Sequence, residues 1–423
     1  MSSALLSYED AVSMVAQHAT GLSTVQPAIH HVDLAHAAGR VLAQPLEADE
    51  DQPAFPRSTR DGFACRAAEA ASHELLAIAG STHAGQSPAG PLPLGAAWEI
   101  MTGAPVPAGA DAVAMIEHVE HAGNHVRLLP PRTIAAGDNI VPRGAQAHKG
   151  EVLLQPGCVL GPAQIALAAA CGYSVLEVFA RLAVAILTTG DELVPVDAAP
   201  GPGQIRNSNA PMLAALVTAA GGEARVLPAA ADRTEALDAA LAEAADADLL
   251  LISGGVSAGK FDLVEPALAR FGARFHFTGV RIQPGKPLVF GELPRSAAET
   301  MRHGRETLPF FGLPGNPISS AVTFQLFAAP VLAALGGKRE LGPRFALATL
   351  AQATDRHAKP GLTRFLPARC NFNPPPNKLP QVETVPWHGS GDLAAFARSN
   401  CFVVVPESSG SLEAGTVVRI LIP

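Results

Sequence analysis

Charge is scarce in this sequence. Only 16% of its 423 residues are Asp, Glu, Lys or Arg, against about 25% in an ordinary soluble domain. The 48% hydrophobic share suits a large buried core and argues against general disorder. No dense Lys/Arg cluster occurs, and 38 acidic against 30 basic residues leave a net charge of −8. A nucleic acid therefore finds no basic track, and none is expected as a partner. A small anion in a local basic pocket remains compatible with the sequence. The five cysteines (Cys65, Cys158, Cys171, Cys370 and Cys401) are scattered, odd in number and without a CxxC pair. That excludes a zinc ribbon and fits structural thiols in a reducing cytosol, so a cytoplasmic location is expected. The opening MSSALLSYED lacks a basic segment leading into an apolar one, which argues against a signal peptide. The apolar stretch 163–190 is interrupted by Glu177 and Arg181, which argues against a membrane span. The dinucleotide and P-loop patterns GxGxxG and GxxxxGK[ST] are not matched by the Gly-rich segment at 253–259.

What is present falls into three parts. Residues 1–180 are mixed. Ser7 with Asp10 resembles a capping box, and Ala11, Val12, Val15, Ala16 and Ala19 recur at helical spacing. Residues 80–130 are rich in Gly and Pro. There AVAMIEHVEH, AGN and HVRLL predict a hairpin with a three-residue turn. A helix is expected from Gly161-Pro162 to near Gly172. From 181 strand and helix alternate: RLAVAILTT, NAPMLAALVTAAGG, EARVLPA, TEALDAALAEAAD with Thr234 as its cap, DADLLLIS, FDLVEPALARFG, LPFFGLPG and NPISSAVTFQLFAAPVLAAL. Such alternation implies a parallel sheet with helices on both faces. Beyond about 338, short strands between Pro/Gly turns predict a small β domain.

Three of the strands end in unusual loops, TTGDEL, SGGVSAGKFD and GLPGNPISS. Ligands of open parallel sheets bind outside the carboxyl ends of the strands. Glycine lets backbone approach a ligand, Ser253 and Ser257 can donate to oxyanions, and the following helix N-termini favour negative charge. Asp191, Glu192 and Asp262 would hold Mg²⁺ against the same anion, because Mg²⁺ takes oxygen ligands shared between carboxylates and phosphates. Plainer readings stand beside these. Asp262, with Glu265 three residues on, fits an N-cap, and Asp191-Glu192 fits a solvated loop. In RIQPGKPLVFG a Pro-Gly turn either delivers Lys286 to an oxyanion or is a surface turn. His118, His121 and His125 spell HxxHxxxH across the expected hairpin, where strand alternation would not converge all three on zinc.

Taken together, STRDGFA (58–64), MTGAPVPAGADAV (101–113), TTGDEL (188–193), SGGVSAGKFD (253–262), PGKPLVFG (284–291), GLPGNP (312–317) and HGSGDL (388–393) resemble, in order, the MoeA family of molybdopterin molybdenumtransferases. The E domain of gephyrin is similar. The resemblance covers nearly the whole chain. It implies an α/β multidomain fold: a doubly wound, mostly parallel, MogA-like domain at 181–338, a discontinuous N-terminal domain (1–54 and 139–180), an inserted β domain (55–138) and a C-terminal β barrel (339–423). It also implies a homodimer that works with a molybdopterin adenylyltransferase and with downstream molybdenum cofactor enzymes. The implied substrates are molybdate and adenylylated molybdopterin, with Mg²⁺-dependent release of AMP.

Carried over by motif, Asp61 and Thr102 line the cleft from the partner side. Asp191, Glu192 and Asp262 sit near the pyrophosphate and its metal. Gly254, Gly255, Ser257 and Gly259 cradle phosphate beside Ser253, and Pro314, Gly315 and Asn316 belong to the same substrate site. Lys286, Ser319, Arg364 and Ser390 lie near molybdate. Alone, Ser319 reads as a helix-start serine and Arg364 as an exposed strand end. The chain departs from the family at VPRGAQ (141–146), where Ala145-Gln146 replace an acidic pair, at Gln283 in place of a lysine, and at Arg60 beside Asp61. These departures keep alive a non-catalytic or specialised paralogue acting as scaffold or cofactor carrier. A molybdopterin adenylyltransferase is the remaining alternative, against which the flanking domains argue.

Overall fold

The computed structural model describes residues 5–22, 25–255, 263–354 and 361–423. At its centre lies a six-stranded sheet in the order Glu223–Val226, Ala183–Thr188, Leu249–Ser253, Thr307–Leu313, Val289–Pro294, Arg274–Phe277. The first four strands are parallel; Val289–Pro294 runs against them, and the edge strand Arg274–Phe277, antiparallel to it, runs their way again. Strand side chains alternate between faces, and both faces here are apolar. Val184, Ile186, Leu249, Leu251 and Phe311 pack with Leu213 and Val217 of helix Asn209–Ala219. Ala185, Leu187, Leu250, Ile252 and Phe310 pack with Leu237 and Leu241 of helix Thr234–Ala244 and with Leu268 of helix Val264–Arg270. Cover on both sides is what makes these strands continuous apolar runs in the sequence.

The helix Tyr8–Leu22 is capped as expected: the Asp10 N–H donates to Ser7 Oγ at 3.0 Å, and the Ser7 hydroxyl donates to Asp10 Oδ2 at 2.7 Å. Its buried residues Tyr8, Ala11, Val15 and Ala19 join the core of the α/β sheet. Strands Ile29–Asp33, Leu46–Glu47 and Arg57–Ser58 pair with Val175–Phe179, Val152–Leu154 and Ile140–Val141. The chain therefore leaves this unit near 58 and returns near 140. Between them a second six-stranded sheet forms from residues 62–128.

The C-terminal strands Arg344–Leu350, Thr363–Asn371, Gln381–Thr384, Cys401–Val405 and Val417–Ile422 close into a five-stranded barrel, because Thr363–Asn371 pairs with both Gln381–Thr384 and Cys401–Val405. One further strand, Ile282–Gln283, reaches out of the α/β domain to pair with Thr363 and Arg364. Helix Pro317–Leu335 is long and apolar enough to cross a membrane by length and composition, but 89% of it is buried inside the protein. It is the core helix on which the sheet and Tyr8–Leu22 pack.

Two local expectations are corrected. The hairpin is Val119–Ala122 with His125–Leu128, and Ala122 pairs with His125, so the turn has two residues, Gly123-Asn124. Gly123, at φ +62°, takes the positive-φ first position that tight hairpin turns favour. Ala112–Met115 pairs instead with Gly62–Cys65. Thr234 does not cap its helix: it is the first helical residue, and Arg233 at the cap makes no side-chain capping bond.

Phe311 is fully buried and stacks on Phe290 with ring centroids 4.6 Å apart. Phe311→Ala should lower unfolding stability by about 3–5 kcal/mol in urea titration of the intact chain. A loss under about 1 kcal/mol would contradict this account of the core.

Candidate active site at the carboxyl ends of the sheet

Strands Ala183–Thr188, Leu249–Ser253 and Thr307–Leu313 are immediate neighbours and run the same way. Their carboxyl-end loops are therefore forced together. They border an open cleft of about 810 Å³, with room for a nucleotide-sized ligand.

The loops touch each other through backbone. Gly254 has φ +98°, and a Cβ there would lie 2.6 Å from the Thr189 carbonyl oxygen. Its N–H donates to Leu313 O at 3.2 Å, and Thr189 N–H donates to Ser253 O at 3.0 Å. On the far side, a Cβ on Gly315 would lie 3.6 Å from Gly254 Cα. Asn209 ties two loops at once: its amide donates to Ser253 Oγ at 2.9 Å and to Gly315 O at 2.6 Å. Asn207 donates to Thr188 Oγ1 at 2.9 Å. The Ser253 hydroxyl lies 3.3 Å from Ser320 Oγ, and Ser320 donates to Pro314 O.

Glu192, Gly254, Gly255, Pro314, Gly315 and Asn316 line the cleft, as does Ser253 at its floor. Glu192 folds back under its own loop, so that a Cβ on Gly190 (φ +146°) would sit 2.5 Å from its Oε2. Asp191 is exposed, and its Oδ1 accepts from Asp232 N–H at 3.0 Å; Asp232 itself lines the cleft. Ser319 is buried in the first turn of the core helix. Ser390 accepts from Ile318 N–H at 3.0 Å through its carbonyl, which brings Gly391 to the cleft edge. Lys286 is exposed and follows Gly285, whose φ of +119° and contact with Thr323 (2.6 Å from a Cβ) hold the Pro-Gly turn against the core helix. Pro287 lines the cleft. Ser257, Gly259 and Asp262 lie outside the described residues.

Two groups sit elsewhere. Arg364 is buried, not an exposed strand end, and donates to the Gly410 carbonyl inside the barrel domain. The barrel closes over position 364, since Arg364 pairs with Val405 on one side and Gln283 on the other. Asp61 and Thr102 are close to each other: the Thr102 N–H and hydroxyl both donate to Asp61 Oδ1, at 2.7 and 2.8 Å. The backbone bond first, then the hydroxyl, hold the Asp61 carboxyl below its ordinary range, so it stays ionised. Neither residue borders the cleft of its own chain, whose described lining residues all fall between 188 and 393.

The sequence reading missed Arg206, Asn207, Asn209 and Asp232, which all line the cleft. The polar run RNSN, wedged between a Pro/Gly-rich turn and an apolar helix, was the available signal. Residues 255–259 also spell GVSAG, the letters of a nucleophile elbow, but among the described residues no histidine lines the cleft to serve as base. Thr189 Oγ1 and Asn209 Oδ1 are buried without a protein hydrogen-bond partner among the described residues. Carboxylate, hydroxyl and amide oxygens with one guanidinium make a donor set suited to a phosphate group and a hard cation.

A cleft at the carboxyl ends of a doubly wound sheet, on a chain that also carries a second β sheet at 62–128 and a closed barrel, belongs to a particular class of multidomain protein. Residues 185–334 match the probable molybdopterin binding domain. Residues 6–172 match the MoeA N-terminal region (domain I and II), and residues 349–422 match the MoeA C-terminal region (domain IV). The molybdopterin molybdenumtransferase of Bacillus subtilis is 35% identical over 401 residues, covering 92% of this chain and 89% of the relative. That of Haemophilus influenzae is 32% identical over 397 residues, covering 92% and 93%. A molybdopterin biosynthesis MoeA protein from Pyrococcus horikosii superimposes with a TM-score of 0.72 at 30% identity over 99% of both chains. The chain belongs to the MoeA family.

Gly254→Ala should add about 1–3 kcal/mol of backbone strain and push the loop off Thr189. Calorimetric titration with AMP and Mg²⁺ should show at least tenfold weaker binding than wild type. Wild-type affinity in this variant would show that the Gly254–Thr189 contact does not shape the site.

Proposed function

We infer that this chain is a molybdenum insertase of molybdenum cofactor biosynthesis, placing molybdenum on molybdopterin. One observation carries the reading. The glycine loops of three adjacent strands lock together into an oxygen-rich cleft, on a chain whose relatives carry the molybdenumtransferase name along nine-tenths of its length. The four-part division expected from the sequence is proposed with it.

The finer chemistry follows from the residues in the cleft. Adenylylated molybdopterin would lay its pyrophosphate along Ser253, Gly254, Gly255 and the 314–316 loop, where the first turn of the core helix favours negative charge. Molybdate, a dianion, would meet Lys286 and the neighbouring hydroxyl and amide donors near Ser319 and Ser390. Mg²⁺ would be held by Asp191, Glu192 and Asp262, and would neutralise the pyrophosphate charge that grows as AMP departs. The protein's own contribution is positioning: Asn209 fixes the Ser253 hydroxyl and the Gly315 carbonyl, so the loops need not reorganise on binding. Arg206 supplies a further positive charge at the cleft wall.

A homodimer fits this reading. The Asp61–Thr102 pair is exposed and ionised, yet does not face its own cleft. A second copy would bring it to the cleft, as the family resemblance implies. The departures at Arg60, Ala145-Gln146 and Gln283 are not among the described residues that line the cleft; the retained Arg143 pairs with Asp51 at 2.7 Å, and Gln283 is exposed. A cytoplasmic enzyme that receives substrate from a molybdopterin adenylyltransferase and hands cofactor to apo-molybdoenzymes completes the proposal.

Purified protein with adenylylated molybdopterin, Mg²⁺ and molybdate should release AMP and reconstitute an apo-molybdoenzyme. Glu192→Gln should slow AMP release at least tenfold, about 1.4 kcal/mol or more in barrier. No AMP above background from the wild-type protein would reject the insertase in favour of a non-catalytic carrier.

A further inference from the structure

A second cluster of ligating side chains lies away from the cleft and takes no part in the chemistry above. Glu292 sits in strand Val289–Pro294, His276 in the neighbouring edge strand Arg274–Phe277, and His18 on helix Tyr8–Leu22. His18 Nε2 is 3.0 Å from Glu292 Oε1, and His276 Nε2 is 3.3 Å from Glu292 Oε2. One ligand atom from each of the three lies within 4.8 Å of the other two. All three side chains are largely shielded, at 20%, 13% and 10% exposure.

An imidazole–carboxylate contact at these distances is ordinarily a hydrogen bond. Here both Nε2 atoms are sealed from solvent and their only polar neighbour among the described residues is Glu292, whose carboxyl they hold well below the usual carboxylate range. Two imidazole nitrogens and a carboxylate that converge within 4.8 Å of one another, away from water, are also the arrangement that holds a cation. Bonds of about 2.0–2.1 Å to a tetrahedral ion set ligand atoms roughly 3.3 Å apart, close to the two N–O separations here. Surrounding groups support a fixed site. Thr307 Oγ1 donates to Glu292 Oε1 at 2.8 Å and orients the carboxylate. Both imidazoles pack on Phe290, with centroids 5.1 and 4.9 Å away, and the two rings are 4.6 Å apart.

We propose that His18, His276 and Glu292 form a zinc site that clamps the N-terminal helix to the edge of the α/β sheet. Two neutral imidazole nitrogens and one carboxylate oxygen are a donor set that zinc accepts, with a water as fourth ligand. The site is separate from the cleft: Glu292 pairs with Pro309, four residues short of Leu313 at the cleft end, or roughly 13 Å along the strand. Its role is mechanical, since the helix it holds buries Tyr8, Ala11, Val15 and Ala19 in the same core as the sheet.

The test uses the full chain, stripped with a chelator and dialysed. Titration with ZnCl₂ should give one tight equivalent per chain and raise the melting temperature. Co²⁺ in its place should give the intense visible bands of a tetrahedral ion. His276→Gln and Glu292→Gln should each weaken zinc binding at least tenfold and abolish the cobalt bands. His18→Gln, on a partly exposed helix face, gives the same readout if either of those variants fails to fold. The double variant His118→Gln/His125→Gln, in the hairpin 119–128 and the turn just before it, should bind zinc as wild type does. Absence of zinc uptake, or equal uptake by wild type and the cluster variants, would overturn the proposal and leave an ordinary histidine–glutamate charge pair.

Discussion

The site depends on one close approach, that of Gly254 to the Thr189 carbonyl. Parallel pairing brings three strand ends side by side, but parallel pairing alone leaves three independent loops. What fuses them is backbone contact with no side chain between, together with a single asparagine that bonds to two loops from the start of the next helix. This gives the cleft a rigid floor before any ligand arrives. Rigid, preorganised donors are what a phosphate-handling site needs, because no reorganisation is then required as charge moves. The glycines at 190, 254 and 315 therefore serve geometry first: the Gly254 amide is already bonded to Leu313.

The rest of the chain braces that floor. The core helix Pro317–Leu335 starts at the cleft and runs under the sheet, and helix Tyr8–Leu22 packs along it. The barrel is attached by a strand pairing at 282–283 with 363–364, by the Arg281–Glu407 ion pair at 3.0 Å, and by the Ser390 carbonyl on the helix's first turn. Movement of the barrel would thus be felt at Pro287 and Gly391, both at the cleft edge.

Much of this was legible in the sequence for a physical reason. Strands covered on both faces must be apolar throughout, so 183–188, 249–253 and 307–313 announce themselves, and the glycines that follow mark where backbone must pass closely. The family motifs then located the cleft. Less legible was anything decided by distant partners. Strand 289–294 runs antiparallel to both its neighbours, 274–277 and 307–313, which no local pattern encodes. Barrel closure joins 363–371 to 401–405, and it is this closure that buries Arg364. The Gly-Asn turn was read one residue too long, because Ala122 is compatible with strand or turn. Asn207 and Asn209 stand just before and at the start of the helix expected from NAPMLAALVTAAGG; their amides matter only because Thr188, Ser253 and Gly315 converge on them. The His18–His276–Glu292 cluster draws on residues more than 250 positions apart, and nothing local to any of them signals it.

A structure of the protein with AMP and Mg²⁺ tests the central claim most directly. The account predicts the phosphate seated between the 253–255 and 314–316 loops, with the loops unmoved and Glu192 turned toward the metal. A phosphate bound elsewhere, or loops that separate to admit it, would contradict it.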